Sequence, residues 1–77
     1  MIDYQNEFSR RLRYAMKKRE VTIQELSEMS AVSIGSLSTY CNGTRMPLLM
    51  SAIAIGKALH VSLDWLCGMR VKEDGNA

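Results

Sequence analysis

Cysteine and histidine are both scarce, and their scarcity excludes whole classes of chemistry. Cys41 and Cys67 are the only two cysteines in 77 residues. That is too few for a disulfide scaffold, and they lack the paired spacing of a zinc site, so both read as reduced thiols. His60 is the one histidine. An enzyme needs a nucleophile with a base, or a metal with its ligands, and one imidazole on a short connection supplies neither. No catalytic residue, metal or cofactor is therefore expected. Long apolar runs are missing too: the strongest, Leu48 to Gly56, is interrupted by Ser51 and ends at Lys57, far short of the roughly 20 residues of a membrane span. Asp3, Glu7, Arg10 and Arg11 stand where a secretory leader would be apolar, so a cytoplasmic protein is expected. There is one Pro, with no repeat and no low-complexity segment.

What remains is a small globular composition, 47% hydrophobic and 23% charged, with a formal net charge of +2. A chain of this size buries only about 60% of its unfolded surface, which favours a single economical helical domain. No segment alternates well enough for a strand. From Glu7 to Arg19, Phe8, Leu12, Ala15 and Met16 share one face, and Arg10, Arg13 and Lys17 lie opposite. This basic stripe has two readings, a solvated surface or a set of phosphate contacts.

Thr22-Ile23-Gln24-Glu25 has the form of a capping box and opens a second helix, with Leu26 and Met29 facing inward. After a turn of about three residues, Ser33 caps a third helix whose inward pair is Leu37 and Tyr40, and Asn42-Gly43 stops it. Pro47 restarts the chain, and Leu49, Ala52, Ile53, Ile55 and Leu59 predict a fourth, mostly buried helix. Ser62 caps a short fifth one that Gly68 terminates. Residues 1–69 form the expected domain, and Arg70 to Ala77 a polar tail.

Two short helices joined by a tight turn can be simple packing or a helix-turn-helix. The solvent side of the third helix sharpens the choice. Ser33, Ile34, Gly35, Ser36, Ser38 and Thr39 carry no charge, where a helix facing only water would more usually carry Lys, Glu or Arg. Short hydroxyls suit base edges, and Ile suits a thymine methyl.

Thr22-x-x-Glu25-Leu26-Ser27, Val32-Ser33, Leu37-Ser38-x-Tyr40, Asn42-Gly43-x-Arg45-x-Pro47 and Ala58-Leu59-x-Val61-Ser62-Leu63-Asp64-Trp65-Leu66 together resemble the phage-repressor and Cro-like helix-turn-helix domain, also called the xenobiotic-response-element type. The resemblance covers roughly Phe8 to Gly68. It implies an all-α, five-helix, lambda-repressor-like domain that binds double-stranded DNA, as a homodimer on a near-palindromic operator, and regulates transcription, with repression the expected sign. It places base reading on Ile34, Gly35, Ser38 and Thr39. Phosphate contacts fall on Gln24, Ser33, Ser36, Asn42, Thr44 and Arg45, with Arg13 and Lys17 joining from the first helix.

Several positions depart from the family pattern. Ile23 stands where Gln is usual, and Gly35 removes a reading side chain at a cost of roughly 1 kcal/mol in helix propensity. His60 stands where Gly is frequent, and Leu48 and Met50 are apolar where polar residues are usual. The family commonly sets an Arg of helix one against a Glu at the end of helix three. Here the matching positions are Met16 and Cys41, apolar together, so the two are expected to touch, and Cys41→Glu alone is expected to bury a carboxylate without a partner. A dimer patch is expected in the C-terminal half, at Leu63, Trp65, Leu66 and Met69, although Trp65 and Leu66 can equally close the monomer core.

Residues 1–20 hold six bases against three acids, while residues 21–50 hold only Arg45 against Glu25 and Glu28. Counterion release is thus modest, and a salt-tolerant binder is expected. The six methionines read as buried filler or as an adaptable protein-binding surface. The latter, with apolar Leu48 and Met50, belongs to the rival reading, a helix-turn-helix module that works through protein contacts as an antitoxin or anti-repressor partner. No small-molecule substrate is indicated.

Overall fold

Helices in this chain begin where a short polar side chain can accept the first free amide. The computed structural model describes residues 2–75. Its elements are α1 (Tyr4–Lys18), α2 (Ile23–Ser30), α3 (Ile34–Asn42), α4 (Leu49–Leu59) and α5 (Leu63–Leu66), with no strand among the described residues. Asp3 accepts from the Asn6 amide at 3.1 Å, and Thr22 and Glu25 close a reciprocal capping box at 3.0 and 3.1 Å. Ser33 and Ser62 accept from the Ser36 and Trp65 amides in the same way. The fourth helix differs: its N-cap, Leu48, has no side-chain acceptor to offer.

The helices end by turning left-handed. Gly43 does so at φ 76°, as the Asn42-Gly43 pair predicts, but Ala31 at φ 62° and His60 at φ 56° make the same turn with a Cβ present. At His60 this is the backbone conformation that glycine adopts without strain.

Phe8, Leu12, Leu26, Leu37, Ile55 and Leu59 are fully buried in one core, in which α1 packs on α3 and α2 on α4. The all-helical, five-helix architecture is as the sequence implies. Several side chains fall elsewhere than expected. Met29 is exposed, because α2 turns Ile23, Leu26 and Ser30 inward and leaves Met29 to one side. Leu49 is 65% exposed, because the first turn of α4 projects past the core that Ala52, Ile55 and Leu59 reach. Met46 and Met50 are exposed as well, so they are not filler, whereas Met16 is buried.

In the C-terminal half, Leu66 has no exposed surface and Trp65 is nearly covered, so both close the core of the single chain. The Arg11 guanidinium lies 5.3 Å from the Trp65 ring centre and donates to the Trp65 carbonyl at 2.6 Å, and the Tyr14 ring packs against the same indole at 6.0 Å. Of the four residues expected to form a dimer patch, only Leu63 and Met69 keep surface. Beyond α5 the chain folds back. Val71 packs against the core, the Glu73 carbonyl accepts from the Ser62 amide at 2.6 Å, and the Glu73 carboxylate pairs with Lys18 at 3.1 Å. Residues 70–75 are thus docked where the sequence reads as tail. Residues 76 and 77 of that stretch lie outside the described residues. Among the described residues, no helix is long and apolar enough to cross a membrane.

Candidate nucleic-acid interface

The turn between α2 and α3 fixes how α3 is presented. Ser30 donates from its hydroxyl to the Leu26 carbonyl at 2.7 Å and accepts from the Val32 amide at 3.3 Å, while buried Val32 anchors the connection. Leu37 and Tyr40 then turn inward. At 3.6 residues per turn, the direction opposite that pair is occupied by Gly35 and Asn42, flanked by Ile34 and Ser38 on one side and Thr39 on the other. The four residues named from sequence as base readers therefore share one outward face. Ile34 is 51% exposed at its leading end.

The hydroxyls on this face are unequal. Ser33 donates to the Ser36 hydroxyl at 2.9 Å, and Thr39 donates to the Ser36 carbonyl of its own helix at 2.7 Å. Thr39 therefore offers lone pairs and a methyl group outward, but not its proton. Ser38 has no hydrogen-bond partner among the described residues, so its hydroxyl can donate or accept. Gly35 sits at the centre, and a Cβ built there meets nothing within 4 Å. No neighbouring side chain or backbone in this chain requires glycine at that point.

At the far end of α3, Thr44 donates to the Thr39 carbonyl at 3.2 Å, and the Arg45 guanidinium lies 6.0 Å from the Tyr40 ring centre. Asn42, Thr44 and Arg45 are exposed beside each other there, and Gln24 and Ser33 are exposed at the starts of α2 and α3. All five phosphate-contact candidates keep exposed surface. Ser36 is half-buried and engaged with Ser33.

The helix-one bases are placed differently from each other. Arg13 donates to the Ser9 hydroxyl at 2.6 Å and to the Cys41 carbonyl at 2.5 Å, so it caps the end of α3. Arg10 and Arg11 share the Glu7 carboxylate at 2.8 and 2.9 Å, and the hydrogen bond from Arg10 leads the effects that hold that carboxyl at about 2. Lys18 and Arg19 share Glu73. Burial alone would raise the Glu73 carboxyl, but hydrogen bonds from Lys18 and Tyr14 outweigh it and leave it lowered. Lys17 is exposed and has no such partner among the described residues.

A row of donors on α1 was not legible as a site. Gln5, Ser9 and Arg13 are spaced by four, and all three reach the last turn of α3: Gln5 donates to the Gly43 carbonyl, and Ser9 to the Cys41 carbonyl at 2.5 Å. The only sequence trace is polar residues repeating at one helical turn on the border between core and solvent. Beside this row the Cys41 thiol lies 3.8 Å from the Met16 sulfur, the contact expected from their joint apolar character. Burial pushes the Cys41 thiol up, against the pull of Arg13, and Cys67 is also raised by burial. Both thiols are free, and no group of residues able to hold a metal occurs among the described residues.

A family model for the helix-turn-helix of Cro and C1 type matches residues 12–66, most of the chain. The chain belongs to that family. It is a DNA-binding helix-turn-helix domain. No curated protein and no solved structure matches it.

Proposed function

We propose that this helix-turn-helix protein is a sequence-specific regulator of transcription, a repressor, that reads the DNA major groove with α3 as a homodimer on a near-palindromic operator in the cytoplasm. One observation carries the reading: the outward face of α3 is uncharged, and its central residue is a glycine that no contact inside the chain calls for. A helix interior gives up about 1 kcal/mol for glycine over alanine. Close approach of the helix backbone to base edges is what would repay that cost. Ile34 then meets thymine methyl groups, Ser38 donates or accepts, Thr39 accepts, and Gln24, Ser33, Asn42, Thr44 and Arg45 hold the phosphates on either side.

Selection of bound duplexes from a random pool tests this directly. A two-fold sequence should be enriched, and Gly35→Ala should bind it more weakly while melting at a higher temperature. Enrichment of nothing would leave the protein-contact reading, which the exposure of Leu48 and Met50 favours.

A further inference from the structure

The carbonyls at the end of α3 are satisfied from two sources. The helix first caps itself: the Gly43 amide donates to the Thr39 and Tyr40 carbonyls, and the Thr44 amide and hydroxyl both return to the Thr39 carbonyl. The Cys41 and Gly43 carbonyls lie beyond the reach of that cap, and their donors come from α1. Ser9 and Arg13 each donate to the Cys41 oxygen at 2.5 Å, and Gln5 donates to Gly43. Ser9 also accepts from Arg13 at 2.6 Å, so its hydroxyl joins two of the three donors into one network. Its side chain is buried, with 1% exposure. Alanine there would suit both the helix and the apolar core better. The hydroxyl is therefore called for by the end of α3 and not by α1.

We propose that Ser9 is a positioning residue for DNA binding: without touching DNA, it sets the last turn of α3 and, through that turn, the phosphate contact of Arg45. The inference rests on the reading above, in which Asn42, Thr44 and Arg45 hold phosphate. The path is short. The Cys41 carbonyl that Ser9 holds belongs to the turn carrying Tyr40, and the Arg45 guanidinium lies 6.0 Å from the Tyr40 ring centre. Arg45 is exposed, and residues 45–48 adopt no regular structure, so the turn before it fixes its place.

Other ties between the two helices are poor substitutes. No ion pair joins α1 to α3 among the described residues, and Met16 meets Cys41 by a contact between sulfurs. Such a contact sets a distance, whereas hydrogen bonds to a carbonyl also set the direction in which the turn faces. Arg13 is exposed and charged, so it can act on phosphate and on the turn at once. Ser9, buried and neutral, can act only through the turn.

The test uses this neutrality. The salt dependence of DNA binding counts the phosphates a protein neutralises, and Ser9→Ala removes no charge. Anisotropy of a labelled random-sequence duplex, titrated at several salt concentrations well below the melting temperature, gives the slope for the parent, Ser9→Ala, Arg45→Ala and the double variant. Arg45→Ala should lower the slope by about one, which is about fivefold in affinity at about 0.15 M salt. Ser9→Ala should lower it by at least about half as much and add nothing once Arg45 is gone. A merely structural serine would lower the melting temperature and leave the slope at the parent value, and that result overturns the proposal. An undiminished further loss in the double variant overturns it too, because Ser9 would then act somewhere other than Arg45. If Arg45→Ala itself leaves the slope unchanged, the phosphate reading falls and the positioning role falls with it. Gln5→Ala, also neutral and lacking the bond to Gly43, makes the same comparison with the same expected slope should Ser9→Ala fail to fold.

Discussion

Restoring an ion pair between Met16 and Cys41 is a severe test of how α1 and α3 are packed. Met16 is only 8% exposed, and its sulfur lies 3.8 Å from that of half-buried Cys41. Met16→Arg alone places a guanidinium where no acid waits, and an uncompensated buried charge costs about 3–5 kcal/mol. Cys41→Glu alone should be milder than the sequence suggests. Arg13 already donates to the Cys41 carbonyl at 2.5 Å, so the introduced carboxylate finds a cation beside it and loses about 1–2 kcal/mol. In the double variant the two groups meet where the sulfurs now touch. The two losses then overlap, with a coupling of at least about 2 kcal/mol, and the double variant is more stable than Met16→Arg. It is not expected to exceed the parent, because a buried ion pair seldom outperforms the apolar contact it replaces. Urea unfolding of all four proteins, followed by helical circular dichroism at constant m-value, gives the cycle. A coupling below about 0.5 kcal/mol, the range of independent sites, would refute the shared environment.

His60→Gly should stabilise by about 1 kcal/mol and leave DNA binding unchanged, because φ 56° at the end of α4 strains any side chain; thermal melting checks it. Glu7, Glu25 and Glu73 are all held below the ordinary carboxyl value of 4.5, with Glu7 at about 2. Their contribution is therefore complete above about pH 4.5 and lost as pH falls toward 2. The melting temperature should be flat near neutrality and drop across that window, with a shallower drop in Glu7→Gln. Arg45→Ala should weaken binding to every sequence about equally and reduce the salt slope by about one. Ile34→Ala should instead relax one thymine preference in each half-site, read by binding to operator duplexes with uracil in place of thymine.

Local signals carried most of the architecture. Thr22 with Glu25, Ser33, Asn42-Gly43 and Ser62 each satisfy or end a backbone run within four residues, so the chain alone displays them. The helix-three face was legible for the same reason, since Leu37 and Tyr40 orient everything between them. What could not be read were choices made between distant segments. Periodicity gives Met29 and Leu49 the spacing of core residues, but whether a helix end meets a neighbour depends on where α4 crosses α2, which no local pattern encodes. Docking of Glu73 against Lys18 spans 55 residues and has no trace in a polar stretch.

The basic stripe of α1 shows how far such long-range choices bear on function. The first 20 residues hold six bases, and the stripe of Arg10, Arg13 and Lys17 is part of them. Four of them are shared between Glu7 and Glu73, and a fifth, Arg13, is spent on the Cys41 carbonyl. Arg11 and Arg13 tie α1 to α5 and α3, and Lys18 and Arg19 tie its end to the segment after α5. With Gln5 and Ser9, Arg13 satisfies carbonyls in the last turn of α3, which would otherwise fray toward the exposed Asn42 and Arg45. The direction of the trade is therefore toward selectivity. On the proposed reading, each cation withdrawn from phosphate lowers non-specific affinity, while a helix whose end is held rigid would lose less entropy on docking with Ile34, Ser38 and Thr39 toward the bases.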